Sequence, residues 1–202
     1  MPFGGNDWLD LLREPALEPD IPICDPHHHF WDFRSQSIPY HRYLLQDLVK
    51  DIDSGHNVVS TVFVEARSMY RSNGPDHLKS VGEVEFVEGL AAASASGLYG
   101  PSRAAAGIVG HADLKMGDRV EEVLSQLKAA SPNRFRGIRH NVTWSPAPEV
   151  ENREGQGLLG DATFRSGARM LAKMGLTFDT MLFFPQLLEL ADFAQEIPEL
   201  PI

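Results

Sequence analysis

The sequence predicts an α/β protein of the (β/α)8 TIM-barrel type, carrying five βα units and the opening residues of a sixth strand. Three observations predict it. Short β-branched runs alternate five times with longer amphipathic stretches, the pattern of parallel strands joined by crossover helices. The turn after the first strand reads HHHFWD rather than a glycine-rich phosphate loop, which argues against an open doubly wound sheet. Polar residues gather at the C-terminal ends of several strands, where a barrel collects its chemistry. A full barrel takes about 250 residues, so a chain of 202 is short by about two to three units.

The elements follow in order. Residues 1–20 read as an N-terminal extension, a short amphipathic "DWLDLL" turn and a proline-bearing linker, ahead of a barrel domain over 21–202. The strands are expected at Ile21–His28, Val58–Glu65, Ala105–His111, Phe135–Val142 and Leu176–Phe183. "LLQDLVKDIDSG" spaces its apolar residues for one helical face and closes on Gly55, a suitable C-terminal stop. "EVEFVEGLAAASASG" closes likewise on Gly97, and its acids read as a solvated face. "DRVEEVLSQLKAA" supplies a third helix. "DATFRSGARMLAKMG" supplies a fourth, with Asp161 as N-cap. "PQLLELADFAQEI" carries proline in its first turn, where proline is tolerated. The final "LPI" resembles the start of a sixth strand. The 18-residue loop "TWSPAPEVENREGQGLLG" exceeds an ordinary βα connection, as functional loops do.

Composition narrows the function. A formal charge of −10 and the absence of a basic cluster work against nucleic acid and anionic lipid as partners. Cys24 is the only cysteine, so no intramolecular disulfide forms and a reducing compartment is the simpler reading. No apolar run approaches the ~20 residues of a membrane span. The expectation is a cytoplasmic protein acting on a small molecule.

The chemistry starts at "CDPHHHFWD", Cys24 to Asp32. Side chains alternate along a strand, so His27 and His29 share one face and His28 points away, towards the helical layer. Imidazoles spaced by two at a strand end suit zinc, which takes about three protein ligands plus water at a catalytic site. Read alone, the pair fits a hydrogen-bonded polar loop equally well. Asp25 is placed to orient a histidine ring. Glu65, closing an apolar strand, reads as a site residue because a buried unpaired acid is costly. Asp179 is a further candidate. His111 reads as a core histidine and Asp113 as the cap of the following turn. Phe30, Trp31 and Trp144 fit either a pocket wall or ordinary packing. His140 and Arg139 lie on opposite faces, so one of the two faces the site.

"DPHHHFWD", "VVSTVFVEA", "EFVEGLAA", "GIVGHADL", "FRGIRHNVTW" and "LTFDTMLFFPQLLELADFA", in this order, resemble the amidohydrolase superfamily. The similarity is to its amidohydrolase-related branch, which includes sugar lactonases and the 2-pyrone-4,6-dicarboxylate lactonase. The resemblance implies a barrel that hydrolyses a small ester, lactone or amide. By the same resemblance His27 and His29 are the first-strand metal pair, Glu65 the polar residue closing strand two, and Arg139 a group that pairs with a substrate carboxylate. It implies one divalent ion, zinc or manganese, with a metal-independent reaction as the alternative. Trp31 and Trp144 would line the substrate pocket. The family's fifth-strand histidine is replaced here by Phe184, and its sixth- and eighth-strand groups are not in this sequence. Two alternatives therefore stand beside a lactonase-type hydrolase. One is an incomplete barrel acting as a binding or assembly partner, through a homo-oligomer or a complementary C-terminal fragment. The other is a non-oxidative decarboxylase of the same superfamily.

Overall fold

A computed structural model describes residues 14–33, 41–152 and 154–202; the expected "DWLDLL" turn lies outside them. Five parallel strands run in the order β1 (Ile23–His28), β2 (Val58–Val64), β3 (Arg103–Gly110), β4 (Phe135–Arg139) and β5 (Thr177–Asp179), each paired with the next. Between and after them lie α1 (Leu45–Ile52), α2 (Val81–Ala95), α3 (Val120–Ala130), α4 (Ala162–Lys173) and α5 (Leu187–Glu196). The sheet curls into part of a βα barrel, as the sequence predicts. Sequential parallel pairing with a helix at each crossover is what such a barrel requires.

Strand register separates the two faces. His28 pairs with Phe63, Phe63 with Ile108, and Ile138 with Phe178, and all of these are buried. This row packs outward on the helices. Val84 and Val87 of α2, Val123, Leu124 and Leu127 of α3, and Phe164 and Leu171 of α4 are buried in the same core. Phe178 meets Phe164 and Phe193 with ring centroids 6.0 and 5.6 Å apart, an aromatic group that joins β5 to α4 and α5. The neighbouring row, Val109 beside Gly137 beside Thr177 and then Arg139 beside Asp179, faces the barrel axis. A Cβ on Gly137 would sit 2.4 Å from the Thr177 carbonyl oxygen, so only glycine permits β4 and β5 to lie this close.

Several local expectations are met by capping chemistry. Asp161 accepts the Phe164 backbone N–H at 2.8 Å. Asp113 caps its turn through the Lys115 N–H at 3.0 Å. Gly55, Gly97 and Gly175 all take positive φ beyond their helices. The last three residues form no assigned strand, but the Pro201 carbonyl accepts the Phe178 N–H at 2.9 Å beside β5.

One expectation is corrected. The acids of "EVEFVE" do not form a solvated face, because Glu83 is 0 % exposed. The loop after β2 folds back over the first turn of α2. There the Arg71 N–H bonds the Lys79 carbonyl at 2.9 Å, and a Cβ on Gly82 would sit 2.7 Å from both Arg71 N and Met69 O. That closeness removes Glu83 from water. Glu85 remains outside and pairs with Arg71, while Glu88 pairs with Arg134.

Candidate active site

The C-terminal ends of β1, β2, β4 and β5 bring ionisable groups together. His27 and His29 face each other with Nε2 atoms 3.3 Å apart and rings edge-on at 88°. The Val64 carbonyl lies 2.7 Å from His29 Nδ1. A carbonyl only accepts, so Nδ1 carries the hydrogen and Nε2 presents a lone pair. Arg139 Nη1 lies 3.4 Å from His27 Nε2, and a guanidinium only donates, so that nitrogen is also an acceptor. Two acceptor nitrogens turned towards each other at this distance call for a proton or a cation between them.

The spacing suits a cation. Two nitrogens each about 2.0–2.1 Å from tetrahedral zinc stand about 3.3 Å apart. The donor count does not suit it: among the described residues no group of three histidine, cysteine, aspartate or glutamate side chains could hold a metal. His27 and His29 therefore provide two nitrogen donors, and no complete metal centre is present among the described residues.

Arg139 is held by Glu65 twice. Its Nε donates to Glu65 Oε1 at 3.0 Å and its Nη2 to the Glu65 carbonyl at 2.5 Å. Two edges of the fork are thus occupied inside the protein, leaving Nη1 towards His27. This narrows the substrate-gripping role that the resemblance implies for Arg139. Asp179 lies in the row beside Arg139. Burial raises the pKa of its carboxyl above the usual range, opposed by the positive charges of Arg139 and His27. Asp179 is thus a stronger base than an exposed carboxylate.

Asp25 makes a different contact from the one expected. Its carboxylate accepts the His27 backbone N–H at 3.1 Å, bracing the strand end rather than the ring. The cause is an irregular register: Asp25 pairs with Thr61 and His28 with Phe63, so three steps of β1 match two of β2. His28 faces the helical layer as expected. Its ring lies 4.7 Å from that of Phe30 and 5.9 Å from that of Phe63. Neither nitrogen has a partner among the described residues, and burial lowers its pKa to about 4. Phe30 is core.

Trp31 stands beside the pair, its ring 6.3 Å from His29, and its backbone bridges to Tyr43. The Trp144 backbone N–H donates to Gln186 at 3.0 Å, which anchors the loop after β4 to the start of α5. His111 is half-buried at the strand end rather than in the core, with Nδ1 3.0 Å from the Arg139 carbonyl. His140 points away from the site and is buried. It accepts the Leu114 N–H at 3.3 Å, and burial, then His111, lower its pKa. A cleft of about 500 Å³ opens between the loops after β2 and β3, lined by Tyr70, His77, Ser80, His111, Asp113 and Arg119.

Sequence reasoning passed over Glu83. Its Oε1 accepts the N–H groups of Ala66 at 2.9 Å and Ser68 at 2.7 Å, and burial raises its pKa to about 7. The available signal was Ser80-Val81-Gly82-Glu83, the spacing of a capping box. Ser80 makes no side-chain cap, and Glu83 is spent on the loop instead.

The fold and strand-end groups first define a class, a TIM-barrel-type α/β chain with its polar groups where such barrels carry chemistry. The sequence model of the amidohydrolase family matches residues 24–202, and the chain belongs to that family. It is 26% identical over 208 residues to the uncharacterized protein y4mH of Sinorhizobium fredii, covering 91% of this chain and 61% of that one. A Burkholderia multivorans amidohydrolase with bound zinc matches at 22% identity with a TM-score of 0.61, over 87% of this chain and 54% of that one. A Pseudomonas putida protein assigned as a 2-pyrone-4,6-dicarboxylic acid hydrolase matches at 13% identity with a TM-score of 0.53, over 86% of this chain and 53% of that one. The chain thus spans between half and two thirds of these relatives. Among the described residues no helix is long and apolar enough to cross a membrane.

Proposed function

We propose that the chain contributes the site of a hydrolase that opens a small lactone or related cyclic ester or amide, derived from a sugar or a carboxylic acid. One observation carries this reading: the facing imidazoles of His27 and His29 at 3.3 Å, beside Arg139 and Asp179 on the barrel axis. Asp179, made more basic by burial, takes a proton from water. The water oxygen bonds to the ring carbonyl carbon, the ring C–O bond breaks, and the leaving oxygen regains the proton, giving a hydroxy acid. Arg139, fixed by Glu65, stabilises the developing negative charge. The cofactor that belongs to this reading is one zinc or manganese ion with His27 and His29 as nitrogen donors, and it would polarise the carbonyl. The zinc bound in the Burkholderia relative supports it.

The test is acid release from D-glucono-1,5-lactone and other sugar lactones, with carbon dioxide measured alongside. Turnover that falls about 100-fold or more in His27→Ala supports the reading, because single catalytic groups contribute on that order. No lactone turnover by the unmutated chain sinks it, and carbon dioxide release points to the decarboxylase instead.

A second reading has its own observation. Met181, Phe184, Leu187, Leu188 and Ile202 are all exposed along the β5–α5 edge. An apolar patch on an edge strand favours docking of a complementary βα segment or a second copy, with catalysis complete only in the assembly.

A further inference from the structure

We infer that Arg67 is a carboxylate-binding residue of this site, presented by the buried Glu83 and aimed at an acidic group on the substrate. The inference rests on the hydrolase reading for the word substrate, but binding can be tested without turnover. Arg67 lies two residues beyond Glu65, on the loop leaving the C-terminal end of β2. Its φ is +56°, a left-handed conformation that non-glycine residues rarely adopt. Glu83 holds it there. One carboxylate oxygen accepts from Ala66 and Ser68, the residues on either side of Arg67, so the backbone pivots about it. The packing of Gly82 against Met69 and Arg71 clamps the far side of the same loop.

The conformation drives the Arg67 side chain outward. It is exposed, and among the described residues its guanidinium makes no hydrogen bond or ion pair. In a chain of net charge −10, an arginine held in a strained backbone without an acidic partner is left with its planar fork available. The same loop forms one wall of the 500 Å³ cleft through Tyr70, His77 and Ser80, and Arg67 stands close enough for its charge to act on Tyr70 in that wall and on Lys115. Lys115, across the cleft on the loop after β3, is occupied by Glu154 at 2.8 Å. Arg139 is occupied by Glu65. Among the described residues two guanidinium groups near this mouth have no partner, those of Arg67 and of Arg119 in the cleft lining. Arg67 is the one whose backbone is clamped in place, and a carboxylate is the group its two parallel N–H donors match.

Glu83 acts as a positioning residue, because it touches the Arg67 neighbours and not the ligand. The groups around it are Glu65, Tyr70 and Arg139, whose charges act on its titration or are acted on by it.

The test is calorimetric titration of the full chain with D-glucarate as the probe, at low and moderate salt. Arg67→Ala, which keeps the strained backbone, is expected to weaken glucarate binding about tenfold or more, and Arg67→Lys to recover part of it. Arg67→Gly is expected to weaken binding equally while raising Tm by about 2–4 °C, because glycine takes positive φ without strain. Glu83→Ala, which removes the acceptor of both N–H groups, should weaken glucarate binding, and Glu83→Gln, whose amide oxygen still accepts them, should restore it. Equal affinity in the unmutated chain and Arg67→Ala overturns the inference, and so does an unmutated chain that binds no glucarate. Lactone turnover is a separate readout: its loss with glucarate binding intact would remove the hydrolase reading and leave Arg67 in place.

Discussion

The ends of β2 and β5 each deliver a carboxylate to the barrel axis, and the two are held in contrasting ways. Glu65 directly follows a seven-residue strand that has neighbours on both flanks. It is bound to Arg139 through side chain and backbone, and its following loop is clamped by Glu83. Asp179 ends a three-residue strand paired along one side with β4 and touched on the other by the Pro201 carbonyl. Its following residues expose Met181 and Phe184 rather than burying them. The difference teaches that a strand end becomes a fixed chemical position when strands flank it on both sides. At a sheet edge the same residue type is supported from one side.

The largest effect should come from removing the tighter anchor. Glu65→Ala leaves Arg139 half-buried without its carboxylate, and breaking a largely buried pair in this way costs about 3 kcal/mol. Urea unfolding measures it, and a loss below about 1 kcal/mol would mean that the β2 end is no more fixed than the β5 end. Next comes pH. Burial raises the pKa of Glu83 to about 7 in the folded chain, above its unfolded value near 4.5, so its contribution to stability is complete below the unfolded value and disappears as pH rises through about 7. The difference in Tm between the unmutated chain and Glu83→Gln should therefore change steadily between about pH 5 and pH 7.5 and level off outside it; a constant difference contradicts the assignment. The smallest effect on stability belongs to the open edge. Leu188→Lys, at a position 85 % exposed, should move unfolding by less than about 0.5 kcal/mol. In sedimentation it should reduce self-association, and unchanged association would direct attention away from this patch.

Much of this frame was legible in the sequence, for a physical reason. Hydrophobic periodicity reports which side of an element is buried, and the core of each βα unit is local enough for that signal to survive. The alternation that splits His28 from His27 and His29 is of the same kind. What escaped was long-range or irregular. The role of Asp25 changed because an extra step in β1 breaks the alternation, and nothing before Pro26 announces it. Glu83 looked solvated because its burial depends on a loop from elsewhere folding over the helix start. The double attachment of Arg139 to Glu65 joins residues 74 apart, a distance over which composition and period carry no information.

The contact between His29 Nδ1 and the Val64 carbonyl has a bearing on how this site tolerates change. The tautomer of a site histidine is often set by a neighbouring side chain, and one nucleotide change can then erase it. Here the acceptor is main chain, present whatever residue occupies position 64. Drift at that position can alter packing without altering which nitrogen His29 presents, so the most chemically exacting feature of the pair is insulated from the genetic variation around it.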